Sequence, residues 1–472
     1  MQRPIQSVAQ RAACIVTLLF LTLAAAGQIE KSTVPIPGRV VDVTTSSDST
    51  HSYALYLPSR YTVEKHWPLI YFFDPAGRGR RPVEMYKDVA EKYGFIIAGS
   101  NNSRNFGSNP SQAVNSIWQD THARLSLDEH RLYTSGFSGG ARVAGSMAMN
   151  SSGQIAGVIA HGAGYPNAHG EGSEKLLYYF AIGNRDFNWP EAVTDAHERE
   201  KQSIPYRLRQ YSGVHQWAYP EVMDDAFQWL TLKAMQAGVI PAETEFVDQQ
   251  FERMQKEAED AARRNDVLTE YEAYRSMTAD LAGLKDVSAA SARLAALKQS
   301  PARKTALKDE QDQISEQLKI EREISPKLRA YESGGVPDMT SLRIEIQQVM
   351  AGLKDQATHA KSEQRQAVYA RAYDDMKVEG IENGQQEFQA HHFDKAESCF
   401  DLMRQVIDEP WPVLLLAETH VAMGNKKQAV KDLREAIRRG LNDPEVLESD
   451  KQLQDLRGDP EFQKLLAGMK SN

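Results

Sequence analysis

Leu132-Tyr133-Thr134-Ser135-Gly136-Phe137-Ser138-Gly139-Gly140-Ala141 is the stretch whose reading decides the fold. The apolar run over 131–137 reads as a buried strand. It closes in Gly136-Phe137-Ser138-Gly139-Gly140, a G-x-S-x-G pattern, and the chain then enters a helix-forming segment over 141–150. Strand, sharp turn and helix are the context this pattern needs. The turn holds the serine on a strained backbone with its hydroxyl exposed, and the flanking glycines let strand and helix pass without a Cβ between them. The Gly139 N–H then lies beside Ser138, where a developing oxyanion would be held. A bare G-x-S-x-G arises by chance in about one chain in seven of this length at typical Gly and Ser frequencies, so its neighbours decide.

Those neighbours alternate between strand and helix. Segments 39–45 and 53–57 read as strands joined by a Ser/Thr/Asp turn. Pro68-Leu69-Ile70-Tyr71-Phe72-Phe73 is a continuous apolar run, the mark of a strand buried on both faces. It opens into the loop 74–79. Helical patterns follow at 83–93 and 111–127, with a strand at 95–100 between them. Beyond the serine come strands at 155–161, 176–182 and 206–211, a Gly-rich loop at 162–172, and a closing helix at 219–237. The alternation predicts an α/β domain over 28–240 with a mostly parallel sheet and helices on both faces. Ligands in such sheets bind at the carboxyl ends of the strands, where the 74–79 loop, Ser138 and the loop after Ile182 all fall.

After Pro241 the composition changes. Residues 241–379 are rich in Glu, Lys, Gln, Arg and Ala and read as a charged helical spacer. Helices are expected over 243–264, 267–284, 304–333 and 342–377. Pro326 is expected to kink or break the third, and Gly334-Gly335-Val336-Pro337 to end it. The heptads are not sustained enough for a long coiled coil. In 380–472, Gly384, Ala396 and Phe400 recur after 33 residues as Ala417, Ala429 and Leu433. Small residues sit where two helices cross and a large apolar one sits beside them. This period resembles tetratricopeptide repeats over 380–440, with 443–466 as a terminal helix pair. The resemblance implies a surface for a protein partner.

The chain has 472 residues, too many for one ordinary core, and a net charge of −9. That balance argues against a nucleic-acid or anionic-membrane surface. Residues 1–27 read as a signal peptide, with Arg3 and Arg11 ahead of an apolar run and small residues at Ala24-Ala25-Ala26-Gly27. An exported protein, periplasmic or secreted, is expected, with no membrane span after cleavage. Cys14 lies inside the signal, which leaves Cys399 without an intrachain partner.

A serine hydroxyl needs a base to take its proton, and the base needs a third group to hold its tautomer. Asp186 follows the strand 176–182 after a glycine turn and is the candidate acid, with Asp195 as the alternative. His215, in Gly213-Val214-His215-Gln216-Trp217 after the last strand, is the candidate base. Ser138, Asp186 and His215 then fall in the chain order of a nucleophile-elbow hydrolase. The second oxyanion donor is expected from the 74–79 loop. Pro75 has no N–H, so Ala76 is the choice, with Gly77 next. His161, Trp217 and Arg78 are read as substrate contacts.

On these residues, 39–237 resembles the α/β-hydrolase superfamily. Within it the chain is similar to serine esterases of the polyhydroxybutyrate depolymerase, feruloyl esterase and phospholipase/carboxylesterase group. Gly213-Val214-His215-Gln216-Trp217 matches that group's G-x-H-x-W, whereas Asp74-Pro75 stands where the group usually has His-Gly. The resemblance implies an ester substrate, small or polymeric, and no metal or organic cofactor. A peptidase of the same fold and an inactive binding protein stay open as other readings. Short loops between the strands suggest an open site without a lid.

Overall fold

The computed structural model describes residues 35–105, 110–165, 175–335 and 337–470. The expected signal peptide, 1–27, lies outside them. Eight strands form one sheet: β1 (Val40–Thr44), β2 (Ser52–Tyr56), β3 (Trp67–Phe73), β4 (Ile96–Ser100), β5 (Leu127–Phe137), β6 (Gly157–His161), β7 (Leu177–Gly183) and β8 (Tyr206–Tyr211). Their order across the sheet is β1-β2-β4-β3-β5-β6-β7-β8. β2 runs antiparallel to β1 and β4, and every other pairing is parallel.

The period-2 geometry of a strand sends alternate residues to opposite faces. β3 shows the consequence. Leu69, Tyr71 and Phe73 enter one core with α2 (Pro110–Arg124), α3 (Gly139–Asn150) and α4 (Trp189–Lys201). Ile70 and Phe72 enter the other, with α1 (Arg80–Tyr93) and α5 (Pro220–Gln236). Both faces are dry, which is why the run is apolar throughout. The chain passes from β3 outward to β4 and returns to β5 on the other side of β3. The carboxyl ends of β3 and β5 therefore flank a switch point, the usual place for a ligand crevice.

The second half is helical: α6 (Thr244–Arg263), α7 (Val267–Asp280), α8 (Ser288–Gln299), α9 (Pro301–Ser333), α10 (Met339–His359), α11 (Glu363–Gln389), α12 (Phe393–Val406), α13 (Trp411–Ala422), α14 (Lys426–Arg438), α15 (Pro444–Ser449) and α16 (Pro460–Lys470). α9 does not break at Pro326. A proline inside a helix costs about 3 kcal/mol. Ile324 and Leu328 on either side of it are buried against Ile346, Met350 and Met376, and that burial offsets the loss. The helix ends at Gly334 in the left-handed conformation, φ +68°, where the glycine pair was expected to stop it. The single helix expected over 342–377 is two, divided at 360–362, where the Ser362 hydroxyl caps α11 by accepting from the Arg365 N–H. α8 was not anticipated.

In the tail, a Cβ on Gly384 would meet the Phe400 ring. Gly424, φ +78°, turns the chain between α13 and α14. No helix among the described residues is long and apolar enough to cross a membrane.

The helical half is not a detached spacer. Ile314 of α9 enters the sheet core. Arg207 of β8 is buried between Asp225 (3.1 Å) and Asp280 of α7 (2.7 Å). His197 of α4 meets Glu310 of α9 at 2.6 Å. Arg371 of α11, 1% exposed, donates to the Asn184 carbonyl (2.8 Å) and to Gln317 Oε1 (2.7 Å), with its guanidinium over the Trp189 ring. Gln317 donates in turn to the Phe187 carbonyl at 2.9 Å.

Candidate active site

Ser138 stands between β5 and α3 at φ +54°, ψ −122°. An L-residue adopts that backbone only where its surroundings impose it. A Cβ on Gly136 would strike the Gly140 carbonyl, and a Cβ on Gly140 would strike the Phe73 carbonyl. The pattern's glycines are therefore required by close backbone approach, as the sequence predicts. The Ser138 N–H donates to the His161 carbonyl at 2.9 Å, which anchors the turn to β6. Gly139 opens α3, so its N–H has no acceptor within the helix.

Asp186 is fully buried in the turn after β7. Its Oδ1 lies 2.9 Å from His215 Nδ1 and accepts the Asn188 N–H at 2.9 Å. Asn188 Nδ2 donates to the Gly162 carbonyl at 2.8 Å, so Asn188 ties the acid to the loop after β6. A Cβ on Gly162 would fall 2.8 Å from Asp186 Oδ2 and 3.1 Å from His215 Nδ1, so that glycine keeps the pair's flank open. The His215 ring packs between Phe137, which precedes the serine, and Phe187. Ser138 Oγ makes no hydrogen bond to His215 among the described residues. The two residues that the sequence singled out, Asp186 and His215, are thus in contact, and Asn188 and Gly162 beside them carried no signal in the sequence. Asp195, the alternative acid, instead accepts the Tyr165 N–H at 2.5 Å, and burial pushes its carboxyl up to about 6.

Of the three expected substrate contacts, His161 and Trp217 are core residues and Arg78 is half-exposed. His161 is fully buried, stacked on Tyr86 and tilted against Trp217, with Nε2 bonded to Ser135 Oγ at 3.1 Å. Burial pushes its pKa down to about 3, so it is a neutral core residue. Trp217 is also buried, and its Nε1–H donates to Asp74 Oδ2 at 3.0 Å. Arg78 pairs with the same carboxylate, Nε to Oδ1 at 3.1 Å. Asp74 is thus a buried anion satisfied by Trp217, Arg78 and the Ala76 N–H (2.8 Å). That last bond corrects the expected oxyanion hole, because the Ala76 N–H is already taken. The Asp-Pro sequence itself is the cause: an aspartate at the first position of a tight turn caps the N–H two residues on.

Ser138 and Gly139 open into a cleft of about 630 Å³. Asn105, Arg142, Phe187 and Asn188 form one side. Asp375, Val378, Glu379, Glu382 and Asn383 of α11 form the other. The site expected to be open is therefore walled by a helix more than 220 residues downstream of the serine, and loop lengths in the first domain carried no sign of it. The wall is acidic. Burial raises the Glu382 carboxyl, against the pull of His215 and Arg142. Burial, with repulsion from Glu321, Glu379 and Glu382, pushes Asp375 up to about 8. No group of three or more His, Cys, Asp or Glu able to hold a metal gathers among the described residues.

A serine at positive φ at the switch point of a mostly parallel eight-stranded sheet, with an aspartate after β7 and a histidine after β8, decides the fold of this half. It is an α/β-hydrolase fold.

No family model and no curated protein matches the chain. Solved structures do. FphF, a fluorophosphonate-binding serine hydrolase of Staphylococcus aureus, is 12% identical, aligning over 41% of this chain and 98% of its own at a TM-score of 0.34. A ferulic acid esterase is 17% identical over 42% and 97%, TM-score 0.34. The S-formylglutathione hydrolase FrmB of Staphylococcus aureus is 14% identical over 42% and 99%, TM-score 0.33.

Proposed function

We propose that the chain is an exported serine hydrolase that cleaves a carboxylic ester through Ser138, His215 and Asp186. The observation that carries the reading is the Asp186–His215 hydrogen bond of 2.9 Å, made by a fully buried carboxylate beside a serine held at positive φ. Ser138 Oγ attacks the ester carbonyl as His215 Nε2 takes its proton. The Nδ1–H of His215 stays on Asp186, which fixes the tautomer and stabilises the imidazolium. The oxyanion is held by the Gly139 N–H. Collapse expels the alcohol, protonated by His215, and water activated by the same base releases the acyl group. In such sites the contact from serine to histidine commonly tightens when substrate binds.

Residues 1–27 serve export in this reading. The helical half positions the substrate at the cleft wall, and its tail, 380–472, offers a surface for a protein partner. The test is turnover of p-nitrophenyl esters and of matched p-nitroanilides by the full chain. The reading expects ester cleavage that is lost in Ser138→Ala with folding intact. Turnover that survives in Ser138→Ala, or cleavage confined to the anilides, would contradict it.

A further inference from the structure

An oxyanion hole needs two donors converging on one oxygen. Gly139 supplies one, and the loop after β3 is the ordinary source of the other. Here residues 75–78 of that loop have none to give. Pro75 has no N–H. The Ala76 N–H is bonded to Asp74 Oδ1 at 2.8 Å, the Gly77 N–H to the Asp74 carbonyl at 2.9 Å, and the Arg78 N–H faces Asp74 Oδ1 at 3.4 Å. Asp74 cannot release them by turning away, because it is fully buried and Trp217 Nε1 and Arg78 Nε hold its two oxygens.

Asn105 lies next to this loop. Its backbone N–H donates to the Pro75 carbonyl at 2.7 Å, so its position is tied to the loop that lacks a donor. Its side-chain amide rests directly over Gly139. A Cβ built there would run into the amide, meeting Oδ1 first and Nδ2 next at 2.5 Å, so a turn of the amide about its own axis sets which of the two faces the cleft. That amide makes no hydrogen bond among the described residues, and Asn105 lines the same cleft as Ser138. A carboxamide carries two N–H donors, and this one stands at the residue whose backbone N–H is the first half of the hole.

We propose that the Asn105 side chain is the second oxyanion donor, taking the place of the backbone N–H that Asp74 occupies. This rests on Ser138 being the nucleophile. As Oγ adds to the carbonyl, its proton passes to His215 and the negative charge collects on the former carbonyl oxygen. Asn105 Nδ2–H donates a hydrogen bond to that oxygen and transfers no proton. Gly139 has to be glycine because of this contact: any side chain would displace the amide.

The test compares the full-length wild type with Asn105→Ala and Asn105→Asp, using p-nitrophenyl acetate. Asn105→Asp keeps the volume and removes the donor. The expected result is a fall in kcat of about 10²–10³-fold in both variants. KM should stay within about threefold, with an unchanged melting temperature for Asn105→Asp. Inhibition by phenylboronic acid, which mimics the tetrahedral adduct, should weaken in parallel with kcat. A kcat within about threefold of wild type in both variants, or a loss confined to KM, would overturn the assignment and leave Ser138 as nucleophile intact. A wild type that neither turns over ester nor is blocked by the boronate would fail the serine-hydrolase reading itself, and the proposal with it.

Discussion

In the proposed mechanism, Asp186→Asn separates two jobs of the triad acid that are usually lost together. Two donors converge on Oδ1, the His215 Nδ1–H and the Asn188 N–H, each at 2.9 Å, whereas the buried Oδ2 has no partner. The introduced amide therefore keeps its carbonyl at the Oδ1 position, because turning its NH2 there would face the Asn188 donor with another donor. The histidine tautomer is preserved and the negative charge is lost. A hydrogen bond to a charged acceptor exceeds a neutral one by roughly 1–1.5 kcal/mol. An imidazolium and a carboxylate about 4 Å apart attract by about 4 kcal/mol at an effective dielectric of about 20, part of which solvent in the cleft recovers. The net expectation is a loss of about 2–3 kcal/mol in the transition state, or roughly 30–200-fold in kcat/KM. Asp186→Ala removes the acceptor as well and should cost about 10⁴-fold, as loss of tautomer control does in such triads. The assay is kcat/KM for p-nitrophenyl acetate at a pH where His215 is neutral. Equal rates for the two variants would refute the role given to Asn188. An Asp186→Asn rate within threefold of wild type would refute Asp186 as the catalytic acid.

Other outcomes follow from the helical half. Asp375 has its pKa raised to about 8 in the folded state, so folding favours its protonated form. Its contribution is full below the unfolded value near 3.8 and is lost as pH rises toward about 8. Asp375→Asn should therefore raise the melting temperature at pH 8 and leave it unchanged at pH 4; a gain that is the same at both would contradict the placement of that carboxyl. Arg371→Ala leaves the Asn184 carbonyl and Gln317 Oε1 without their donor and opens a cavity over Trp189. A loss of roughly 2–5 kcal/mol is expected in urea unfolding, and a change below about 1 kcal/mol would show that the two halves are not docked through this residue.

Local signals carried much of this molecule. The run at β3 had to be buried on both faces, and the glycines around Ser138 had to allow close approach. Asp186 and His215 followed strands at the right end of the sheet. What the sequence did not disclose depends on contacts between distant segments. His161 and Trp217 are polar-capable residues near Ser138, and nothing local tells a core ring from a pocket ring. Asp74 reads as a loop residue until its burial beneath Trp217 is seen. The packing of α11 over the cleft joins residues more than 200 positions apart, and its acidic face reads as an ordinary solvated helix surface. Pro326 misleads for the same reason: the buried residues that hold α9 through it come from three other helices.

The most direct measurement is covalent labelling of the full-length protein with a fluorophosphonate, read by mass spectrometry of the labelled peptide. The account predicts one adduct, on Ser138, that forms far more slowly in His215→Ala and not at all in Ser138→Ala. A folded wild type that stays unlabelled, or an adduct on another residue, would contradict it.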